Sequence, residues 1–118
     1  MQTDTQKSVT LAALDSMRLL ADSPTLLHVL KFAARMEKKL AANRHKGDRQ
    51  GWMKDHPWNL VERILDETVE VQQCFTAIGA HTVNLTRTPE ETADECADVA
   101  NFCMMVADRV TAQESANS

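Results

Sequence analysis

Four carboxylates in the second half of the chain occur as two pairs with the same spacing. Glu67 and Glu70 stand three residues apart, and so do Glu95 and Asp98. Side chains at this spacing project from one face of an α-helix, so each helix would present two carboxylates to the same point. If the two helices pack antiparallel, four negative groups converge. Such a cluster requires a cation, because like charges at close range in a partly dry site raise one another's pKa.

A divalent metal ion is the cation that this set of ligands favours. Hard oxygen ligands without His or Cys select magnesium, or manganese, over zinc. On a helical wheel at roughly 100° per residue, Glu67 and Glu95 fall at the edge of the apolar stripe, and Glu70 and Asp98 lie about 60° further outward. A single pair of this kind is common on charged helices, where it is usually exposed to solvent and has no role in binding. The repetition of the pair on consecutive helices is what predicts a metal site.

Both pairs fall within predicted helices that have apolar faces. Pro57 suits the first position of the helix that carries the first pair, which is predicted to end around Gly79. The last helix begins at the segment Thr88–Glu91, where Thr, Pro and Glu form a capping box. It is predicted to fray after Ala112.

Two further helices are predicted upstream of these. The first covers residues 8–22, and its apolar side consists of Leu11, Leu14, Met17 and Ala21. The second begins at Ser23 and Pro24, which suit the N-cap and the first helical position, and it fades near Asn43. The charged stretch from Arg44 to Pro57 is predicted to be the main loop. No strand alternation of useful length is present, so the predicted fold class is all-α.

Composition and charge narrow the class of protein further. With 118 residues the chain is long enough for one domain, and 43% apolar residues is a normal globular content. A net charge of -4 argues against a general nucleic-acid binder. Three Cys within helical patterns do not suggest a disulfide framework. With no secretory signal and no apolar run of roughly 20 residues, the sequence predicts a soluble, cytoplasmic protein that does not enter membranes.

The acidic pairs resemble the motif of a known enzyme superfamily. The segment Asp66–Glu70 followed by Glu95–Asp98 resembles the EExxE…ExxD motif of the MazG-like all-α NTP pyrophosphohydrolases. This superfamily also contains dimeric dUTPases, dCTP pyrophosphatases and phosphoribosyl-ATP pyrophosphohydrolases. The resemblance covers roughly residues 25 to 112, with Asp66 in place of the first Glu. The segment Pro57–Asn59 is also similar to a Pro-Trp-Asp segment of some MazG proteins, although its distance to the acidic motif is shorter here.

The resemblance implies a fold, a ligand set and a reaction. The fold would be a four-helix MazG-like bundle, completed as a homodimer or homotetramer, with an N-terminal helical segment (1–22), a core (23–112) and a flexible tail (113–118). Glu67, Glu70, Glu95 and Asp98 would bind Mg²⁺, with Mn²⁺ as an alternative. The enzyme would be a hydrolase acting on acid anhydrides. Water would attack the α-phosphorus of a (d)NTP, releasing (d)NMP and pyrophosphate. Glu67 and Glu70 would be the catalytic carboxylates, and Glu67 is the first choice of base because its partly apolar setting should raise its basicity.

Basic and aromatic residues upstream of the acidic helices are candidates for holding the nucleotide. The stretch from Arg44 to Lys54 concentrates positive charge in an otherwise acidic chain, which suits a triphosphate tail. Lys46 and Arg49 flank Asp48 on a Gly-bounded turn and could close over the β- and γ-phosphates. Trp52 or Trp58 could stack on the base. Asn101 continues the Asp98 face by one step and could reach the sugar or the base.

Two alternatives to this prediction remain open. In the first, the chain is a non-enzymatic helical adaptor or regulatory protein whose acidic helices meet a basic partner. In the second, the fold and motif are retained but the substrate is phosphoribosyl-ATP. The preferred base and sugar are also open.

Overall fold

The computed structural model describes residues 11–18, 22–77 and 82–117, and side chains as far as Ala112. Contacts divide the chain between Ala33 and Ala34 into two compact units, which are described separately. The described residues are mostly helical, which confirms the all-α class. One small two-stranded sheet is the exception.

The N-terminal unit contains one short helix and the start of a longer one. Residues 11–18 form helix α1, and its side chains, including the predicted apolar positions Leu11, Leu14 and Met17, are exposed. Ala21 and the predicted ends of this helix lie outside the described residues. Helix α2, Leu26–Ala42, begins two residues after the predicted start at Pro24. The Ser23 hydroxyl accepts a 3.2 Å hydrogen bond from the Thr25 N–H, so Ser23 orders the turn before the helix.

The stretch predicted to be the main loop contains two short helical segments. A 3-10 turn covers Arg44–Lys46, and helix α3 covers Arg49–Lys54. Asp48 caps α3 by accepting a 2.8 Å hydrogen bond from the Arg49 N–H. Gly47 has a φ of 133°, a conformation that side chains strongly disfavour, and it separates the two segments. A helix of six residues is too short to show an apolar period, which is why the prediction of a loop was wrong here.

Helix α4, Pro57–Gln73, begins where predicted and ends six residues before Gly79. His56 caps its start, with Nδ1 accepting a 3.1 Å hydrogen bond from the Trp58 N–H. Beyond Cys74, strands β1 (Phe75–Ala77) and β2 (Val83–Leu85) pair antiparallel. The sequence did not predict this hairpin, because each strand has only three residues. Thr86 closes it by donating from its hydroxyl to the Gln73 carbonyl at 2.6 Å.

Helix α5, Pro89–Asn117, has the predicted capping box. The Glu91 N–H donates to Thr88 Oγ1 at 3.1 Å, and the Thr88 N–H donates to Glu91 Oε1 at 3.4 Å. The helix continues past Ala112, so the predicted tail (113–118) overlaps its last turns, and the flexibility of that tail stays a prediction.

The core of the C-terminal unit lies where α4 and α3 pack against α5. Its buried residues are mostly small or polar, and they include Leu60, Cys74, Thr92, Ala97 and Asn101. Cys103 and Val110 of α5 are exposed. The buried residues of α5 among those described are therefore the small or polar Thr92, Ala97 and Asn101.

Candidate metal site and adjoining cleft

Helices α4 and α5 bring the two acidic pairs together. One carboxylate oxygen each from Glu67, Glu95 and Asp98 lies within 4.8 Å of the other two. The Glu70 carboxyl lies against both Glu67 and Glu95. All four carboxylates singled out by their spacing are therefore neighbours.

The contacts between α4 and α5 follow an antiparallel order. The Arg63 guanidinium lies 5.3 Å from the centre of the Phe102 ring. One turn further along α4, Glu67 faces Asp98, and Glu70 faces Glu95. As residue numbers rise on α4 they fall on α5, which is the packing that the two i, i+3 pairs need to converge.

Glu67 is the carboxyl most affected by its surroundings. It is 8% exposed. Burial, followed by the negative charges of Glu70 and Asp98, raises its pKa from 4.5 to about 7. Arg63 opposes this change, with Nη2 at 3.3 Å from Glu67 Oε1, but its side chain is largely exposed. The ionised form of Glu67 is therefore disfavoured unless a further cation is present.

The two carboxyls on α5 share this environment. Burial and the neighbouring Glu70 raise the pKa of Glu95, although Arg87 donates to its Oε1 at 3.0 Å. Among the described residues, no group hydrogen bonds to the buried Oε2 of Glu95. Burial also raises the pKa of Asp98, against the opposing effect of Lys39, whose Nζ lies 3.5 Å from Oδ2.

This cluster fits a hard divalent cation. Its donors are all carboxylate oxygens, and one of them, Glu95 Oε2, is buried without a hydrogen-bond donor among the described residues. Ligand oxygens about 2.1 Å from Mg²⁺ lie at most about 4.2 Å apart. The three carboxylate oxygens, which lie within 4.8 Å of one another, would therefore need only small side-chain rotations to reach the distances of a Mg²⁺ site. A cation there would also offset the repulsion that raises the three pKa values.

A cleft of about 520 Å³ adjoins the carboxylates. Its volume lies in the range typical of small-ligand sites. Glu67, Glu70 and Asp98 line one part of it. Lys39 and Lys46 contribute positive charge, and the apolar side chains on its walls are Leu40, Leu60, Phe102 and Met105. The cleft can therefore hold a ligand that has an anionic end and a flat or apolar end.

The predicted substrate-binding residues fall into two groups. Lys46, Trp52 and Asn101 line the cleft. Arg49 is instead paired with Asp108, with its Nε at 2.8 Å from Oδ2 and its Nη2 at 3.0 Å from Oδ1. Trp58 is 62% exposed and is not among the described residues that line the cleft. Roles for Arg49 and Trp58 in binding stay predictions.

Four residues at the site were not singled out from the sequence. Lys39 and Arg87 each place a cation on one carboxylate of α5, and Arg63 does so on α4. Asp108 accepts hydrogen bonds from both Arg49 and Trp52. Arg63 could have been noticed, because it lies four residues before Glu67 on the same helix. Lys39 and Arg87 gave no such signal, since neither lies on the same helix as its partner. Asp108 gave no signal either, because ten residues after Asp98 is about 280° around the helix and places the two carboxylates on different faces.

Comparisons with protein-family models, with curated proteins and with solved structures gave no match. Within the described ranges, no helix is both long and apolar enough to cross a membrane.

Proposed function

We propose that this protein is a Mg²⁺-dependent nucleoside triphosphate pyrophosphohydrolase of the MazG-like type, converting a (d)NTP to (d)NMP and pyrophosphate. The observation that carries the proposal is the convergence of Glu67, Glu95 and Asp98 within 4.8 Å. The adjoining cleft supports it, because it combines Glu67 and Asp98 with Lys39 and Lys46.

Glu67, Glu70, Glu95 and Asp98 would hold the ion. Oxygen donors alone favour Mg²⁺, with Mn²⁺ as the alternative. When bound, the ion supplies neutralising charge for the phosphate oxygens and for the pyrophosphate leaving group.

Glu67 is the residue that we assign as the general base. A carboxylate in a partly apolar setting is a stronger base than an exposed one, and Glu67 is buried beside the other carboxylates of the cluster. Its oxygen orients the attacking water and takes its proton. Glu70, which lies against Glu67, supports this orientation and shares the negative charge of the site.

The phosphates and the nucleoside occupy different parts of the cleft in this proposal. Lys39 and Lys46 neutralise the β- and γ-phosphates, since both line the cleft that contains the carboxylates. The Trp52 ring forms a wall on which a base stacks. Arg49 reaches a phosphate only if it leaves Asp108, so we assign phosphate binding first to the two lysines.

A homodimer or homotetramer that completes the helical bundle is part of the same proposal. Trp58, Leu65 and Val69 are exposed and lie close together on one face of α4 when the helix is drawn at roughly 100° per residue. A contiguous exposed apolar face of this kind is typical of an interface. We place the protein in the cytoplasm, where the free thiols of Cys74, Cys96 and Cys103 would stay reduced.

The reaction is tested by incubating the protein with each canonical NTP and dNTP and with phosphoribosyl-ATP, with and without Mg²⁺, and separating the products by ion-exchange chromatography. Monophosphate and pyrophosphate are expected, and only with the metal. Asp98→Asn and Glu70→Gln should each lower turnover by at least about a hundredfold, the scale on which loss of charge stabilisation slows an enzyme. Asp66→Asn, an exposed change on the same helix, is the matched control and should retain activity.

Other products would change the assignment. Diphosphate and phosphate would mean that the bond between the β- and γ-phosphates is cleaved instead of the bond between the α- and β-phosphates. This result would contradict the pyrophosphohydrolase class. Turnover of phosphoribosyl-ATP alone would retain the class and replace the substrate. If no nucleotide is hydrolysed and no divalent ion binds, the adaptor hypothesis replaces the enzyme.

A further inference from the structure

Asn101 is a buried amide in the wall of the cleft with only one of its two polar ends engaged. It is 4% exposed. Its Nδ2 donates a 3.1 Å hydrogen bond to the main-chain carbonyl of Met36 on α2. Among the described residues, nothing donates to its Oδ1, although that atom is buried. A buried acceptor without a donor destabilises a protein, so an unpaired acceptor in the wall of a cleft points to a ligand.

The bond to Met36 determines which end of the amide is free. If the amide were turned over, its oxygen would meet the Met36 carbonyl oxygen, and two acceptors would face each other. Oδ1 is therefore the atom left for a ligand, and it can only accept a hydrogen bond. The group that it recognises must be a hydroxyl or an N–H.

The position of Asn101 along α5 indicates which part of a nucleotide supplies that donor. With a rise of about 1.5 Å per residue, Asn101 lies about 4.5 Å along the helix axis from Asp98, whereas Asp108 lies about 15 Å away. The indole N–H of Trp52 is held at Asp108, 2.9 Å from Oδ2. The acidic end and the aromatic end of the cleft are thus separated along α5, and Asn101 lies next to the acidic end.

We propose, on the basis of the pyrophosphohydrolase function, that Oδ1 of Asn101 accepts a hydrogen bond from a hydroxyl of the nucleotide sugar. In a nucleotide the sugar is bonded directly to the α-phosphate, and the base follows it. With the α-phosphate at the carboxylates, the sugar lies beside Asn101 and the base lies towards Trp52. Met105, one turn further along α5, lines the cleft with a flexible side chain that can turn to admit the hydroxyl.

Calorimetric titration with nucleoside monophosphates in the presence of Mg²⁺ tests this assignment without turnover. The probes are the four ribo-, deoxyribo- and dideoxyribonucleoside monophosphates. Removal of the recognised hydroxyl should weaken binding about tenfold, because Oδ1 then stays buried and unpaired. A loss between ribose and deoxyribose would assign the 2′-hydroxyl, and a loss between deoxyribose and dideoxyribose would assign the 3′-hydroxyl.

Asn101→Ala should bind the forms with and without the hydroxyl equally well. Asn43→Ala is the matched control, since Asn43 also lines the cleft and also donates through Nδ2 to a main-chain carbonyl, that of Lys39. It should keep the wild-type discrimination. The comparison among ligands on the wild-type protein stands by itself if Asn101→Ala does not fold.

Three outcomes would overturn the inference. If the sugars bind equally but bases with and without an amino group differ through Asn101, the acceptor reads the base. If neither change matters, Oδ1 binds only water. If no nucleotide binds at all, the inference fails together with the proposed function, whereas nucleotide binding without hydrolysis contradicts only the enzymatic function.

Discussion

The indole N–H of Trp52 donates a 2.9 Å hydrogen bond to Oδ2 of Asp108, which also accepts from Arg49. This carboxylate ties helix α3 to α5, and it presents the Trp52 ring to the cleft. Arg49 and Trp52 together lower the pKa of Asp108, so it stays ionised at neutral pH. A residue remote from the acidic cluster thus shapes the opposite end of the candidate site.

Asp108→Ala should therefore weaken substrate binding more than it slows the chemical step. Trp52 and Arg49 would lose their common acceptor, and α3 would no longer hold the ring in place. We expect KM for the nucleotide to rise about tenfold, equivalent to about 1.4 kcal/mol, with kcat within about twofold of wild type. Steady-state kinetics measures both. Glu37→Ala breaks another Arg–carboxylate pair, Arg44 with Glu37 at 2.7 Å, and should leave KM unchanged. A fall in kcat at constant KM would contradict this role.

The metal-free protein should become less stable as the pH rises from about 5 to about 8. The pKa of Glu67 is about 7 in the folded protein, compared with the ordinary value of 4.5 that applies to the unfolded chain. Between these values the folded state retains a proton that the unfolded chain has released, so stability falls with rising pH. The loss should be about 1–3 kcal/mol for this group. Urea unfolding in EDTA at several pH values measures it, and Mg²⁺ should remove most of the loss. A metal-free stability that increases over this range would contradict the electrostatic description.

Glu67→Gln should separate stability from activity. The substitution removes one negative charge from the cluster while keeping a side chain of similar size. At about pH 8 in EDTA the variant should be about 1 kcal/mol more stable than wild type and unfold a few degrees higher, yet it should be inactive. Its stabilisation by Mg²⁺ should also be smaller. Differential scanning calorimetry checks the shift, with the exposed Glu62→Gln on the same helix as the control. A less stable metal-free variant would show that Glu67 is stabilising as an anion.

Ala97→Leu should disturb the acidic cluster through packing. Ala97 is 0% exposed on α5, between the two carboxylates of that helix in sequence. The added side chain would require α5 to move away from its neighbours, at about 1–3 kcal/mol of stability. We expect Mg²⁺ affinity, measured by calorimetry, to fall about tenfold. Ala107→Leu adds the same volume at an exposed position of α5 and should change neither quantity. Full Mg²⁺ affinity in Ala97→Leu would show that the spacing of the helices does not determine the site.

Local sequence was sufficient for the helical class and for several helix ends. The capping box at Thr88 and Glu91 formed as predicted, because it depends only on residues within one turn. Pro57 likewise occupies the start of α4 as predicted. The end of α4 was misplaced, since Thr86 reaches back across the hairpin to Gln73 and Cys74, and no local pattern indicates that contact.

The sequence by itself determined that four carboxylates would occur as two i, i+3 pairs, each on one helix face, because that follows from helical periodicity. Tertiary packing decided that the pairs meet, since only the antiparallel contact of α4 and α5 brings Glu67 to Asp98 and Glu70 to Glu95. Tertiary packing also decided that Lys39 and Arg87 are the basic residues paired with Asp98 and Glu95. The same packing left Oδ1 of Asn101 without a hydrogen-bond donor among the described residues. Charges and hydrogen bonds act through distances in space, and those distances join residues that lie up to 65 positions apart in the chain.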